Sequence, residues 1–382
     1  MLLHPKKSLV EHFSTITDPR VNRTKDHELI DILVIAICGL LCRAETFNEM
    51  EDFGNAKYDW FKTFLALPNG IPSHDTFNRV FSALDPQEFL EAFLNWTQGL
   101  RRAVQDEIVA MDGKALRRAL TADKNPKYIV SAWAEENGLV LGQLKVDEKS
   151  NEISAVPQLL RVLELNGCIV TLDAMGCQKT IAKEIKEADA EYVLALKGNQ
   201  DTIHREVKEF LDDAVADSKT WRPAAVRPEA KALVCKKVVE KDHGRLETRE
   251  YFQSAELGWF ADRLKWEGLQ TVGMVQATRE INGKISTERR YYISSLPLDI
   301  ERFARAVRGH WGIENKLHWV LDVHLGEDQS RARSGYAAEN LATLRRFAIN
   351  LLKSEKTKKR GIRGKQNNAS WDHAYLLKLL SI

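Results

Sequence analysis

The chain is poor in cysteine and lacks any closely paired cysteine motif. An odd number of scattered cysteines argues against a disulfide framework, and without a CxxC pair nothing seeds a structural zinc site. Two of them lie four residues apart in an apolar helix, so buried thiols are the expected reading. The five are Cys38, Cys42, Cys168, Cys177 and Cys235.

Long apolar runs and a strong net charge are also missing. The longest apolar stretch, residues 32–42, is too short to span a bilayer, and the opening MLLHPKKSLVEHF lacks the apolar core of a signal peptide. We therefore expect a cytoplasmic protein with no membrane partner. The formal net charge of +2 over 382 residues provides no global attraction to nucleic acid. Any basic surface must come from local clustering.

Three acids stand out against this background. Asp112 follows the apolar run in EIVAMD, Asp173 follows IVTL, and Glu314 lies in the helical-looking segment RGHWGIENKLHWVLD. Burying a lone carboxylate is costly, so two strand-end acids and one helical acid suggest a shared cation. Mg²⁺ prefers oxygen ligands, and two such ions can activate a water or a 3′-hydroxyl at a phosphodiester. A long chain can also offer such a triple by chance, because acids commonly cap strands and helices.

Hydrophobic periodicity changes along the chain and predicts four segments of an α/β protein. Asn137-Gly138 and Asn282-Gly283 predict two hairpin turns. In the first segment, Ser73 is a candidate cap for a short helix, which fits either a helix-turn-helix or an ordinary helical hairpin. The segments are residues 1–105 (helical), 106–219 (strands and helices), 220–296 (β-rich) and 297–382 (helical).

Several strings in the sequence resemble one family. DGKALR, TLDAMGCQK, LALKGNQ, DHGRLETR and above all RGHWGIENKLHWVLDVHLGEDQSRAR are similar to ISAs-type insertion-sequence transposases, which include the H-repeat-associated proteins. The resemblance runs from near residue 8 to near residue 380. It places the chain among the DDE transposases.

The resemblance implies a ribonuclease-H-like catalytic core, a β-rich insertion at 220–296 and a helical N-terminal domain associated with DNA binding. It makes Asp112, Asp173 and Glu314 the catalytic triad and the ligands of Mg²⁺ or Mn²⁺, with two ions expected. It further implies cleavage at terminal inverted repeats, strand transfer into double-stranded target DNA, and a homodimer on DNA. The core is completed by residues 297–382.

One departure from related families concerns the residues around Glu314. Related hairpin-forming transposases carry a tyrosine, an arginine and a lysine where this chain has Val307, His310 and Leu321. Whether a DNA hairpin forms is therefore open. His310 and Lys316 are candidate phosphate contacts instead.

Other polar residues are predicted to contact DNA, with a solvated surface as the alternative in each case. They include a presumed loop after Asp112, a turn after the strand that follows Asp173, and part of the basic run KSEKTKKRGIRGKQ. The candidates are Lys114, Arg117, Lys197, Asn199, Gln200, Lys358, Lys359 and Arg360.

Two further patterns have a functional and an ordinary reading. His310, Glu314 and His318 share a helical spacing of four that could bind zinc, although a clear fourth ligand is missing. Trp311 and Trp319 could stack on a flipped base, but core packing is the favoured explanation. For the whole chain, the alternatives to a transposase are an inactive DNA-binding relic of a mobile element and a plain metal-dependent nuclease.

Overall fold

The chain passes back and forth between two units, so each is built from separated segments. The helical unit comprises Met1–Ala103, Gly113–Asn151 and Ile313–Ile382, and the α/β unit comprises Val104–Asp112 and Glu152–Gly312. This computed structural model describes residues 9–21, 25–120, 126–146, 152–220, 233–242 and 245–381. The four consecutive segments predicted from the sequence remain a prediction.

The helical unit has short helices at both ends of the chain and a three-stranded portion of sheet between them. Its strands lie in the order β3-β2-β1. Its elements are α1 Leu9–Phe13, α2 Leu29–Leu41, α3 Phe47–Ala56, α4 Tyr58–Phe61, α5 His74–Ala83, α6 Pro86–Leu100, the later part of β1 Ile108–Leu120, β2 Pro126–Ala134, β3 Leu139–Val146, a π-helix Ile313–His318, α11 Trp319–Leu325, α12 Ala337–Ser354, α13 Ile362–Trp371 and α14 His373–Leu380.

Side-chain caps determine where several of these helices begin. The Ser73 hydroxyl accepts the Thr76 backbone N–H at α5, which confirms it as the predicted cap. Thr46 and Glu49 form a reciprocal capping box at α3, and Asp85 accepts two backbone N–H groups at the start of α6. Each cap satisfies amide groups that the helix itself leaves without partners.

The core of the helical unit is an aromatic cluster around α12. The ring of Phe347 lies 5.2 Å from that of Phe13, 4.9 Å from Phe93 and 5.0 Å from Trp96, centre to centre. Buried Asn350 exchanges two 2.9 Å hydrogen bonds with the backbone of Val140, which fixes β3 against α12. Aromatic packing and a satisfied buried amide thus hold sequence-distant segments together.

The α/β unit is a mixed sheet flanked by helices. Its strands lie in the order β1-β4-β5-β9-β8-β7-β6. Its elements are the first part of β1, α7 Glu152–Val162, β4 Ile169–Leu172, α8 Lys179–Glu187, β5 Glu191–Leu196, a 3₁₀ turn Gly198–Gln200, α9 Asp201–Thr220, β6 Leu233–Asp242, β7 Arg245–Ser254, β8 Thr271–Ile281, β9 Lys284–Ser294 and α10 Ile300–His310.

Strand direction divides this sheet into two parts. The pairs β1–β4 and β4–β5 are parallel, whereas β5–β9 and the run β9-β8-β7-β6 are antiparallel. The antiparallel part contains the predicted β-rich segment. Asn282 and Gly283 have φ angles of 51° and 75°, as the predicted hairpin turn requires.

The fold is therefore mixed α/β with a ribonuclease-H-like core, as predicted. In the helical unit, β2 and β3 form the hairpin expected around Asn137-Gly138. No helix within the described ranges is long and apolar enough to cross a membrane.

Candidate active site

Asp112 and Asp173 follow directly on paired residues of neighbouring parallel strands. In the α/β unit Met111 of β1 pairs with Leu172 of β4, so the next residue on each strand is an aspartate. Neighbouring strands lie about 4.8 Å apart, so this register brings the backbones of the two half-buried aspartates close together. Only Asp173 lies just past its strand. Asp112 is internal to β1, and the expectation that it ends a strand is wrong; the parallel pairing with β4 ends there instead.

The loop after Asp173 is held by several hydrogen bonds. Asp173 Oδ1 accepts the backbone N–H of Met175 at 2.9 Å, and that of Gly176 at 3.4 Å. A β-carbon on Gly176 would lie 2.9 Å from the Leu172 side chain, so the loop turns back closely on β4. Burial raises the pKa of the Cys177 thiol, and the negative charge of Asp173 raises it further.

Asn199 and Gln200 also contact this loop. Asn199 Nδ2 donates to the carbonyl oxygen of Ala174 at 2.8 Å, and Gln200 Nε2 donates to that of Cys177 at 2.7 Å. Both lie in the 3₁₀ turn after β5, where Lys197 is exposed. Their DNA contacts remain predictions.

Glu314 lies in the helical unit on the π-helix, where the sequence predicted ordinary helix. Its Oε2 is 3.5 Å from Nδ1 of His318, and the Glu314 side chain is half exposed while that of His318 is 6% exposed. The π-helix covers Ile313–His318, so Glu314 and His318 do not lie on the regular α-helix that the zinc alternative assumes. π-Helices recur at functional sites because they displace side chains from regular helical positions.

His310 ends α10 in the α/β unit. Its Nδ1 lies 3.0 Å from the hydroxyl of Thr171, two residues before Asp173. Gly309 permits this approach, because a β-carbon there would lie 2.6 Å from Ile108 of β1. His310 thus joins the end of α10 to the strand that leads into Asp173.

Within the helical unit, Glu314 and His318 on the π-helix offer a carboxylate oxygen and an imidazole nitrogen that could bind a metal ion. Carboxylate oxygens suit Mg²⁺ and Mn²⁺, and an imidazole nitrogen is also acceptable to Mn²⁺. The donor chemistry therefore fits a divalent ion. From the sequence, His318 was predicted only as a zinc ligand, because it follows Glu314 by four residues.

Lys114 lies within β1, so the loop predicted after Asp112 is wrong. Its buried ammonium group pairs with Asp322 at 2.7 Å, Asp328 at 2.8 Å and Glu327 at 3.4 Å. Arg117 is exposed on the same strand and lies 3.2 Å from Asp328. Lys114 thus connects β1 to the segment that follows α11, within the helical unit.

The network around Lys114 continues to α12. Fully buried Glu327 forms an ion pair with Arg346. Burial acts to raise the pKa of Glu327, but the charges of Arg346 and Lys114 outweigh it and hold the pKa at about 2. The adjacent acids in GEDQ at 326–329 are the visible sequence feature of this cluster. Lys114, which pairs with both acids, is more than 200 residues away in sequence.

The other predicted DNA contacts of the helical unit lie at its surface. Lys316 is half exposed and ion-paired with Glu135. Lys358, Lys359 and Arg360 are exposed in the turn between α12 and α13.

The two tryptophans have different surroundings. Trp319 is 54% exposed on α11, so the favoured explanation of core packing is wrong for it. Trp311 is partly buried in the α/β unit, with the guanidinium of Arg290 4.5 Å from its ring centre.

Two aspartates that directly follow paired residues of parallel strands, on a ribonuclease-H-like sheet, are typical of metal-dependent nucleic-acid enzymes, and comparison with known proteins specifies the family. Residues 104–351 match the family described as Transposase DDE domain, and residues 10–97 match the associated domain described as DDE_Tnp_1-associated. The chain belongs to the DDE transposase family and is a transposase enzyme. Membership implies use of a divalent metal ion.

Full-length relatives support this assignment. The chain is similar to the H repeat-associated protein YhhI of Escherichia coli strain K12, at 38% identity over 98% of each chain. It is also 38% identical to YncI of Escherichia coli O157:H7, over 98% of this chain and 95% of that protein. A cryo-EM structure of the piggyBac transposase synaptic complex with hairpin DNA aligns at 12% identity and a TM-score of 0.44, over 98% of this chain and 79% of that chain.

Proposed function

We propose that this transposase cuts double-stranded DNA at the ends of its mobile element and joins the exposed 3′-hydroxyl to target DNA. Asp112, Asp173 and Glu314 are the catalytic residues and hold Mg²⁺ or Mn²⁺, as two ions. The observation that supports the proposal is the parallel register of β1 and β4, in which Met111 pairs with Leu172 directly before the two aspartates. When bound, the ions would supply charge to stabilise the attacking and departing oxygens.

The chemistry consists of two exchanges at phosphorus. In the first, water attacks the scissile phosphate and the 3′ oxygen departs to become a 3′-hydroxyl. In the second, that hydroxyl attacks a target phosphate, forming one phosphodiester bond and breaking another. The bond count is unchanged in the second step, so the joining reaction needs no external energy source.

The protein's own contribution is to hold rigid oxygen donors and a basic surface. β1 and β4 fix the two aspartates, because a paired strand restricts the backbone before each of them. Lys197, Lys316, Lys358, Lys359 and Arg360 are exposed cations that we propose contact phosphate, with Arg117 and His310 as additional DNA contacts. Lys114 was predicted with them, but its three carboxylate partners favour a role in holding β1. We propose a homodimer that binds two DNA ends.

Asp112→Asn tests the catalytic assignment. The substrate is a duplex carrying the DNA that flanks the gene, assayed in Mg²⁺ for cleavage and in Ca²⁺ for binding. Loss of the carboxylate charge should reduce cleavage by at least a hundredfold while binding stays within about twofold, since affinity comes mainly from basic residues elsewhere. Cleavage at the wild-type rate would refute the assignment.

Asp189→Asn is the matched control. Asp189 is an exposed acid that precedes β5, at the opposite edge of the parallel strands from Asp173. Its φ of 53° is one that asparagine adopts readily, so the change should affect neither folding nor cleavage.

A strand-transfer assay with pre-cut ends distinguishes the alternatives. A transposase converts the pre-cut end and a target plasmid into joined product. A plain nuclease nicks without joining, and an inactive relic binds without nicking.

A further inference from the structure

The turn after β5 contacts the loop that carries Asp173 at two points. Asn199 Nδ2 donates to the Ala174 carbonyl at 2.8 Å, one residue after Asp173. Gln200 Nε2 donates to the Cys177 carbonyl at 2.7 Å, four residues after it. The two amides therefore bracket the loop, and both belong to the same unit as Asp173.

The bracketed segment is the one that orients the Asp173 carboxylate. Asp173 Oδ1 accepts the Met175 N–H, and Met175 lies between the two carbonyls that Asn199 and Gln200 hold. If the loop shifts, the Met175 N–H moves with it and the carboxylate loses its preferred rotamer. A group that holds a metal ligand's neighbours acts on metal affinity, because ligand orientation sets that affinity.

We infer that Asn199 and Gln200 are positioning residues for Asp173, rather than readers of DNA. Their amide groups are directed at the protein's own carbonyls, and each bond fixes the amide against the loop of Asp173. Lys197, two residues before, has its side chain exposed and remains a candidate phosphate contact. The inference rests on the proposed role of Asp173 as a metal ligand.

The test uses two uncharged variants of similar shape that cannot donate, Asn199→Leu and Gln200→Met. Mn²⁺ binding to the full-length protein without DNA is followed by electron paramagnetic resonance. Each variant should weaken Mn²⁺ binding by about tenfold, the size typical of a lost supporting contact. Affinity for a random 30-base-pair duplex in Ca²⁺, and its salt dependence, should not change.

An effect on duplex binding instead of Mn²⁺ binding would assign Asn199 and Gln200 to DNA contact. If the variants keep their Mn²⁺ affinity but bind the duplex more weakly, or with a smaller salt slope, the inference is overturned. Asn199 and Gln200 would then be DNA contacts. Unchanged values of both would overturn it as well. Because Asn199 is exposed, its variant should fold; a thermal unfolding midpoint within a few degrees of wild type confirms that Mn²⁺ loss is not general unfolding.

Two controls separate this inference from the proposed function. Lys197→Ala should retain Mn²⁺ affinity while lowering duplex affinity. Asp173→Asn should lose Mn²⁺ binding if it is a ligand. If Asp173→Asn binds Mn²⁺ as well as wild type does, the proposed metal site is wrong and the positioning role falls with it. If Asp173→Asn loses binding but the amide variants do not, only the positioning role is wrong.

Discussion

At the residue scale, the ionisable groups of this transposase fall into two kinds. Asp112, Asp173 and Glu314 keep some exposure and are proposed to bind a cation. Glu327 and Arg346 are fully buried and neutralise each other. Removing one charge of this buried pair should lower the free energy of unfolding strongly, because the other charge is then buried without a partner.

Glu327→Gln should destabilise the protein by roughly 3–5 kcal/mol, the usual cost of breaking a buried ion pair by removing one partner. The free energy of unfolding from urea titration measures this. Asp328→Asn is the control, since Asp328 is partly exposed and Lys114 keeps its 2.7 Å contact with Asp322. It should cost about 1 kcal/mol or less. Equal losses in the two variants would contradict the assignment of Glu327 as the central charge.

At the element scale, the basic run between residues 353 and 365 spans the end of α12, the turn that follows it and the start of α13. Lys353 lies in the last turn of α12 with its ammonium 4.8 Å from the Trp133 ring centre, and burial lowers its pKa to about 8. Lys365 is buried in α13 and donates to the Leu352 carbonyl at 2.7 Å. The exposed cations are concentrated in the turn between these helices. Lys353 and Lys365 therefore have structural roles, and the proposed DNA contact is limited to the turn.

Replacing Lys358, Lys359 and Arg360 together by alanine should weaken specific and random duplex binding alike. Each lost phosphate contact reduces the slope of log K against log salt by about 0.9, so a reduction of roughly two to three is expected. Titrations at several salt concentrations measure it. Lys183→Ala, an exposed lysine of α8 paired with Glu187, is the control and should leave the slope unchanged. An unaltered slope in the triple variant would mean a solvated turn, and a loss limited to terminal DNA would indicate base contacts.

At the scale of the whole molecule, the buried carboxylates make folding sensitive to acid. The pKa of Glu327 is held at about 2 by neighbouring charges, against 4.5 in the unfolded chain. The unfolded state therefore binds the proton first as pH falls. The stabilisation is complete above about pH 4.5 and is lost progressively between 4.5 and 2.

Thermal unfolding midpoints at pH 6, 4.5 and 3 should consequently fall steeply below pH 4.5 in the wild type. The decline should be shallower in Glu327→Gln, which has no carboxylate to protonate at this position. Parallel pH profiles for the two proteins would show that other groups control acid unfolding.

Much of the architecture could be predicted because its signals are local. The Asn-Gly pairs at 137–138 and 282–283 specify hairpin turns through backbone conformations that few residues adopt, and Ser73 marks a helix start through its hydroxyl. Apolar runs before Asp112 and Asp173 predicted the strands that carry them. The positions of the three acids and the order of the segments also came from local patterns, the family resemblance gave the acids their catalytic role, and these remain predictions.

Tertiary structure alone decided which side chains meet. Lys114 reads as a loop cation, yet it pairs with acids more than 200 residues away; Asn199 and Gln200 read as DNA contacts, yet they hold the loop of Asp173. The π-helix at Glu314 has no sequence signature in a helical pattern. The physical reason is common to all three: periodicity and capping depend on neighbours within a few residues, whereas ion pairing, amide donation and helix irregularity depend on what packing brings near.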